Sequence, residues 1–344
     1  MTTTLREAVL TCLGDFPPVV PTNWRREGSE QRGDILYTRV TYAVAPAERV
    51  WGWLLEPGAA LSPGKGAGQT TGEVPSPLPP SSLPGILALH QHAGEYYLGK
   101  AEPAGLGGNP NYHYGLELAR RGYVVFCPDH LAFEDRRPPE YERVAQPGSL
   151  QDRGYEDWLG KSYLVRGSTL QAKYLSDLAR ALDVLAEQPG VDAKAIGCIG
   201  HSLGGQEALW LAWYDERIKA AVSSCGVSLL STIVRDRINH NMALWLPGLL
   251  KVADMDAVVA GIAPRAVLLI QGDQDPIFPL DGVHHIGRVA HLAYTDSGQP
   301  DRFALTTFPG GHGFPIEMRK AAYQWLDTWL KRPTRARRTP EPLW

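Results

Sequence analysis

Gly200-His201-Ser202-Leu203-Gly204 reads G-x-S-x-G, with an apolar run at 195–199 before it and a helix-forming run at 205–212 after it. A serine on a sharp strand-to-helix turn stands clear of the sheet edge, and small neighbours let the backbone turn that tightly. The same turn points the first helical N–H groups to where an anion would form beside the hydroxyl. The bland reading is a tight turn without chemistry. The flanking strand and helix favour a nucleophile elbow.

Serine is a poor nucleophile unless a base takes its proton and a carboxylate orients that base. Downstream, Asp273 and Asp275 lie in Gly272-Asp273-Gln274-Asp275-Pro276, directly after the apolar run 266–271. Asp275 is the preferred acid, because the chain needs some residues after the strand before a carboxylate can point back across the sheet. Asp273 then reads as a turn former. His312, in Gly310-Gly311-His312-Gly313 after the last strand-like run, is the preferred base; His284, His285 and His291 fall in a helical stretch. His201 lies inside the elbow and reads as support for the turn.

An oxyanion needs two or more N–H donors. Leu203 supplies one. The backbone N–H of His92, in His90-Gln91-His92-Ala93-Gly94, supplies the other, with Gln91 the alternative. His90 and His92 have the i, i+2 spacing of metal ligands, but no third ligand has a recognisable spacing, so no metal and no organic cofactor is expected.

These residues must be held at one edge of a sheet. Apolar runs at 86–90, 123–127, 196–199, 218–224, 266–271 and 303–308 alternate with helical stretches at 112–121, 169–188 and 317–330. Uniformly apolar strands covered by helices predict a mostly parallel, eight-stranded-type sheet with helices on both faces. Residues 36–42 and 50–55 predict an antiparallel edge pair. The expected division is an N-terminal arm, edge strands and Pro/Gly-rich loop over 1–84 packed on the main domain, a catalytic core over 85–331, and a basic tail over 332–344. Residues 57–84 read as a surface loop. Two irregular segments, 131–165 and 229–256, follow strand C-termini and are candidates for the pocket wall. Within or beside them, Trp158, Tyr163 and Trp245 are candidate substrate contacts, weighed against ordinary burial of aromatics.

A net charge of −3 argues against nucleic-acid binding, and no run of about 18 apolar residues argues for a membrane span. The cysteines Cys12, Cys127, Cys198 and Cys225 are widely spaced, and no leader is evident, so a reduced, cytoplasmic compartment is the default expectation. The expected partner is a small-molecule ester; a homodimer would follow if the last helix exposed its apolar side.

The chain resembles the α/β-hydrolase superfamily, and within it the dienelactone hydrolase and acetyl xylan esterase-like group. The anchors are His90-Gln91-His92-Ala93-Gly94, Leu118-Ala119-Arg120-Arg121-Gly122-Tyr123 with Pro128-Asp129, residues 200–205, Ala263-Pro264-Arg265, Gly272 with Asp275, and Gly311-His312-Gly313-Phe314. The resemblance implies an α/β-hydrolase fold and ester hydrolysis by a serine triad, with Asp275 and His312 as acid and base and the His92 N–H in the oxyanion hole. Gln91 stands where many relatives have glycine, and Ser202 stands where dienelactone hydrolases proper use cysteine. The reading is a serine esterase for acetyl or other short-chain esters. Its rivals are a lactonase, a prolyl-oligopeptidase-like peptidase and a non-catalytic binding protein. The 84 residues before the core are too few for the propeller of such peptidases.

Overall fold

The computed structural model describes residues 4–58, 82–137 and 150–331. The 57–84 loop falls outside them from 59 to 81, and the basic tail falls outside them entirely. Among the described residues a single nine-stranded sheet runs in the order β1-β2-β3-β5-β4-β6-β7-β8-β9. Its strands are β1 (Arg25–Arg32), β2 (Ile35–Ala45), β3 (Glu48–Pro57), β4 (Leu83–Leu89), β5 (Val124–Pro128), β6 (Val191–His201), β7 (Ile218–Ser224), β8 (Ala266–Gly272) and β9 (Phe303–Phe308). From β5 to β9 every pairing is parallel; β1, β2 and β3 pair antiparallel and extend one edge.

β1 is one strand more than the expected eight. Its sequence, Arg-Arg-Glu-Gly-Ser-Glu-Gln-Arg, is exposed at every position, so it carries no apolar alternation. Backbone pairing to β2 holds it, with Arg26 reaching Glu56 at 3.0 Å.

β5 and β8 are buried at every position and the inner stretches of β4, β6 and β7 nearly so, which is why these sequences are mostly apolar; the edge strand β9 is not. Leu87 and Leu89 of β4 and Val267 and Leu269 of β8 face one core; Ile86, Ala88, Leu268 and Ile270 face the other. The first face is covered by α1 (Leu5–Leu13), α4 (Leu170–Ala186), α5 (Leu203–Tyr214), α8 (Met255–Ala260) and α9 (Leu280–Asp296). The second is covered by α2 (Tyr114–Arg120) and α10 (Ile316–Leu330). The irregular segment 131–165 contains α3 (Asp152–Leu164), and 229–256 contains α6 (Leu230–Arg235) and α7 (Leu249–Val252). Among the described residues, no helix is long and apolar enough to cross a membrane.

A buried ionic cluster ties α4 to the rest. Asp177 accepts from Lys173 Nζ at 2.8 Å and Arg136 Nη2 at 2.7 Å, and both cations also reach Glu48. Arg136 follows β5 and Glu48 begins β3, so three separate segments meet around the two cations. Removing one partner of such a group strands the buried charges that remain. Asp177→Ala is expected to cost about 3 kcal/mol, seen as a lower urea midpoint; an unchanged midpoint would show that Glu48 alone compensates.

Candidate active site

β6 delivers Ser202 to the C-terminal edge of the sheet, and α5 leaves from Leu203. Ser202 has φ 56° and ψ −120°, a conformation that costs about 1–3 kcal/mol in a non-glycine residue. Two glycines make it reachable. A Cβ on Gly200 would lie 2.2 Å from the Gly204 carbonyl carbon, and one on Gly204 would lie 2.0 Å from the Leu89 carbonyl oxygen. The elbow therefore rests directly on the end of β4. Ser202 N–H donates to the Ser224 carbonyl at 2.8 Å, which pins the turn to β7.

His312 Nε2 lies 2.8 Å from Ser202 Oγ, and His312 Nδ1 lies 2.7 Å from Asp275 Oδ2. An ionised Asp275 can only accept, so Nδ1 carries the proton and the Nε2 lone pair faces the serine hydroxyl. Burial pushes the Asp275 carboxyl up, but His312 outweighs it together with the Ile277 N–H and the Gln271 amide, and the net shift is downward. Asp275 Oδ1 accepts from Ile277 N at 3.0 Å, and Oδ2 from Gln271 Nε2 at 3.0 Å. Asp273 instead accepts from Gly310 N at 3.0 Å, so it shapes the turn that carries His312. Phe278, fully buried, lies nearly parallel to the His312 ring at 5.8 Å.

His201 is buried, with Nδ1 3.1 Å from Ser224 Oγ and its ring stacked on Tyr112; burial holds it well below its usual value. His285 pairs with Asp256 at 3.2 Å on α9.

Each side chain of the loop after β4 is tied down. His90 Nδ1 lies 2.8 Å from the Gln91 carbonyl, and its Nε2 accepts from His130 N–H at 3.0 Å. Gln91 Nε2 donates to Glu102 at 2.8 Å. His92 Nδ1 accepts from Gly94 N–H at 3.0 Å, and Nε2 donates to Glu156 at 2.8 Å. With both nitrogens of both rings engaged, His90 and His92 do not converge as metal ligands. Two other clusters have ligand-like spacing among the described residues, Cys225-Asp275-His312 and Asp129-Glu134-Asp135. In the first, His312 Nδ1 is taken by Asp275 and Cys225 Sγ donates to the Gly313 carbonyl. The second surrounds Lys100 Nζ, at 2.5, 2.7 and 2.8 Å from its three carboxylates.

The candidate wall residues fall differently. Tyr163 shares a face of α3 with Glu156, two helical turns along, and packs in the cluster that holds Leu203. Trp158 sits about 200° around that helix from Glu156, 46% exposed and stacked on Tyr155. Trp245 packs against the main core from a half-buried position.

Sequence reasoning missed His240. It packs on Phe278 at 4.7 Å, and burial, then the charges of His312 and His92, push it down to about 4. Its Nδ1 accepts from Asn241 Nδ2 at 3.0 Å, because Asn241 Oδ1 is taken by Leu244 N–H. Asn241 also donates to Gln206, and Gln206 and Gln171 both donate to Glu207, a buried residue of α5. Nothing in the local pattern of 238–245 marks this chain of amides.

These features sit in known company. The dienelactone hydrolase family matches residues 105–325. The chain belongs to that family. It is an α/β-hydrolase-fold enzyme, a hydrolase acting on esters. "Putative hydrolase YtaP" of Bacillus subtilis (strain 168) is 30% identical over 252 residues, covering 72% of this chain and 79% of its own. A Bacteroides fragilis structure described as a "putative acetyl xylan esterase" aligns with TM-score 0.66 at 17% identity, covering 94% of this chain and 80% of its own. A glucuronoyl esterase from Solibacter usitatus aligns with TM-score 0.62 at 15% identity, covering 92% and 88%. At those identities the two structures share the fold.

Burial pushes Glu207 from its usual 4.5 up to about 8. Between those values the unfolded chain has lost the proton and the folded family member has kept it. Stability therefore falls as pH rises through that window. The melting temperature is expected to decline from pH 4.5 to about pH 8, and Glu207→Gln, neutral at every pH, to lessen the decline. Parallel slopes would refute the assignment.

Proposed function

We propose that the chain is a serine esterase that cleaves acetyl or other short-chain carboxylic esters through an acyl-enzyme, with Ser202 as nucleophile, His312 as base and Asp275 as its orienting acid. The observation that carries the reading is the continuous hydrogen-bond line from Asp275 through His312 to Ser202, at 2.7 and 2.8 Å. The printed descriptions of the acetyl xylan and glucuronoyl esterases support an ester of a carbohydrate as the substrate class.

His312 Nε2 takes the hydroxyl proton as Oγ attacks the ester carbonyl. Negative charge then gathers on the carbonyl oxygen, beside the first turn of α5. There the Leu203 N–H and the His92 N–H, with Gln91 as the alternative, are the donors that stabilise it. His312 returns the proton to the departing alcohol. Water, deprotonated by the same nitrogen, then releases the acid and restores Ser202. Asp275 keeps the imidazole in the Nδ1–H tautomer and balances its charge while it is protonated.

Ser202→Ala and Asp275→Asn are each expected to lower kcat on 4-nitrophenyl acetate by about 10⁴-fold or more, with melting temperatures near that of the parent. A folded Ser202→Ala protein that keeps its turnover would sink the triad. A fluorophosphonate probe should label the parent and not Ser202→Ala.

A further inference from the structure

The Glu156 carboxylate is fully buried and takes no part in the triad. Its oxygens collect donors from two segments outside α3. Oε2 accepts from His92 Nε2 at 2.8 Å and from the Tyr96 hydroxyl at 2.5 Å; Oε1 accepts from Met242 N–H at 2.8 Å. Burial pushes Glu156 up, but these partners, His92 first, bring the net shift downward, so it stays a carboxylate.

We propose that Glu156 is a positioning residue. By gripping the His92 imidazole, it holds the backbone N–H groups of the loop after β4 where the oxyanion forms. This rests on the esterase reading above and extends it to a residue on α3.

The geometry supports action through His92 rather than on substrate. The Glu156 side chain is 1% exposed, so an ester has no route to it. The His92 ring is gripped at both ends, by Glu156 at Nε2 and by Gly94 N–H at Nδ1. Its faces and edges meet Tyr96 at 5.0 Å and Phe133 at 5.1 Å, both buried rings. A ring held at both nitrogens and packed against two aromatic rings fixes the backbone to which it is attached. That backbone runs beside the elbow, because Gly204 lies against the Leu89 and His90 carbonyls.

Economy of stability does not explain the arrangement. A buried carboxylate is expensive, and well-packed apolar side chains often serve stability as well or better. Here the carboxylate is oriented toward the imidazole of His92. Donors must be fixed before charge develops if they are to stabilise it without reorganising.

The test is a double-mutant cycle with Glu156→Leu and His92→Phe, read on 4-nitrophenyl acetate and on a trifluoromethyl ketone that forms a tetrahedral oxyanion with Ser202. Each single variant is expected to lower kcat about 10- to 100-fold with little change in KM. Each should weaken the ketone by a similar factor. The double variant should lose little more than either single, because both act through one ring. Glu156→Gln, which keeps one acceptor oxygen, should fall between parent and Glu156→Leu, and it replaces Glu156→Leu in the cycle if the latter does not fold. Additive losses would overturn the proposal, as would a fall in kcat without weaker ketone binding. A parent protein whose turnover survives Ser202→Ala would instead overturn the esterase reading.

Discussion

The first turn of α5 lies backbone to backbone on the end of β4, and the site is organised around that contact. Gly204 admits the Leu89 and His90 carbonyls at distances that no side-chain-bearing residue tolerates. Leu89 and Gly200 are also register partners in neighbouring parallel strands, so the elbow and the loop after β4 begin at the same height. The Tyr114 hydroxyl donates to the same Leu89 carbonyl, anchoring α2 to that point. With this contact in place, Ser202 at the end of one strand and the backbone N–H groups after the next are adjacent without any long side chain reaching between them.

β8 and β9 bring Asp275 and His312 to the same edge by the same logic. Their C-terminal ends are paired through Gly272 and Phe308, so the turns carrying Asp275 and His312 start side by side. Asp273 spans the two turns through Gly310 N–H. With the same side chain, Asp273 closes the turn, while Asp275, two residues on, is placed to meet His312. The distinction drawn between these aspartates from spacing corresponds to two different hydrogen-bonding duties.

α3 and residues 239–242 link the loop after β4 to the rings beside His312. Arg153 donates to the His240 carbonyl at 2.9 Å, and Glu156 accepts from Met242 N–H at 2.8 Å, so one helix grips this segment twice. The irregular segments 131–165 and 229–256 stand out in the sequence by their position after strand C-termini. Their aromatic content points to Trp158, Tyr163 and Trp245 as wall residues, yet the side chains that meet the loop after β4 and the His312 side include Phe133, Glu156 and His240. An aromatic residue is equally at home in a core or a wall, so residue type did not discriminate. Trp158 projects away because helical geometry separates it from Glu156 by about half a turn.

The amino-acid sequence by itself determined the elements that repeat a local rule. The apolar strands, the G-x-S-x-G turn and the short glycine-flanked motifs that carry Asp275 and His312 are legible because each depends on residue type at short spacing. β1 was illegible because an exposed edge strand needs no apolar pattern, only a partner with open backbone groups. Tertiary structure alone decided which buried polar groups meet. Glu156 lies 64 residues from His92, and Asn241 lies 35 from Gln206. Hydrogen bonds between such distant residues depend on direction and distance in three dimensions, and no local pattern in the chain encodes either.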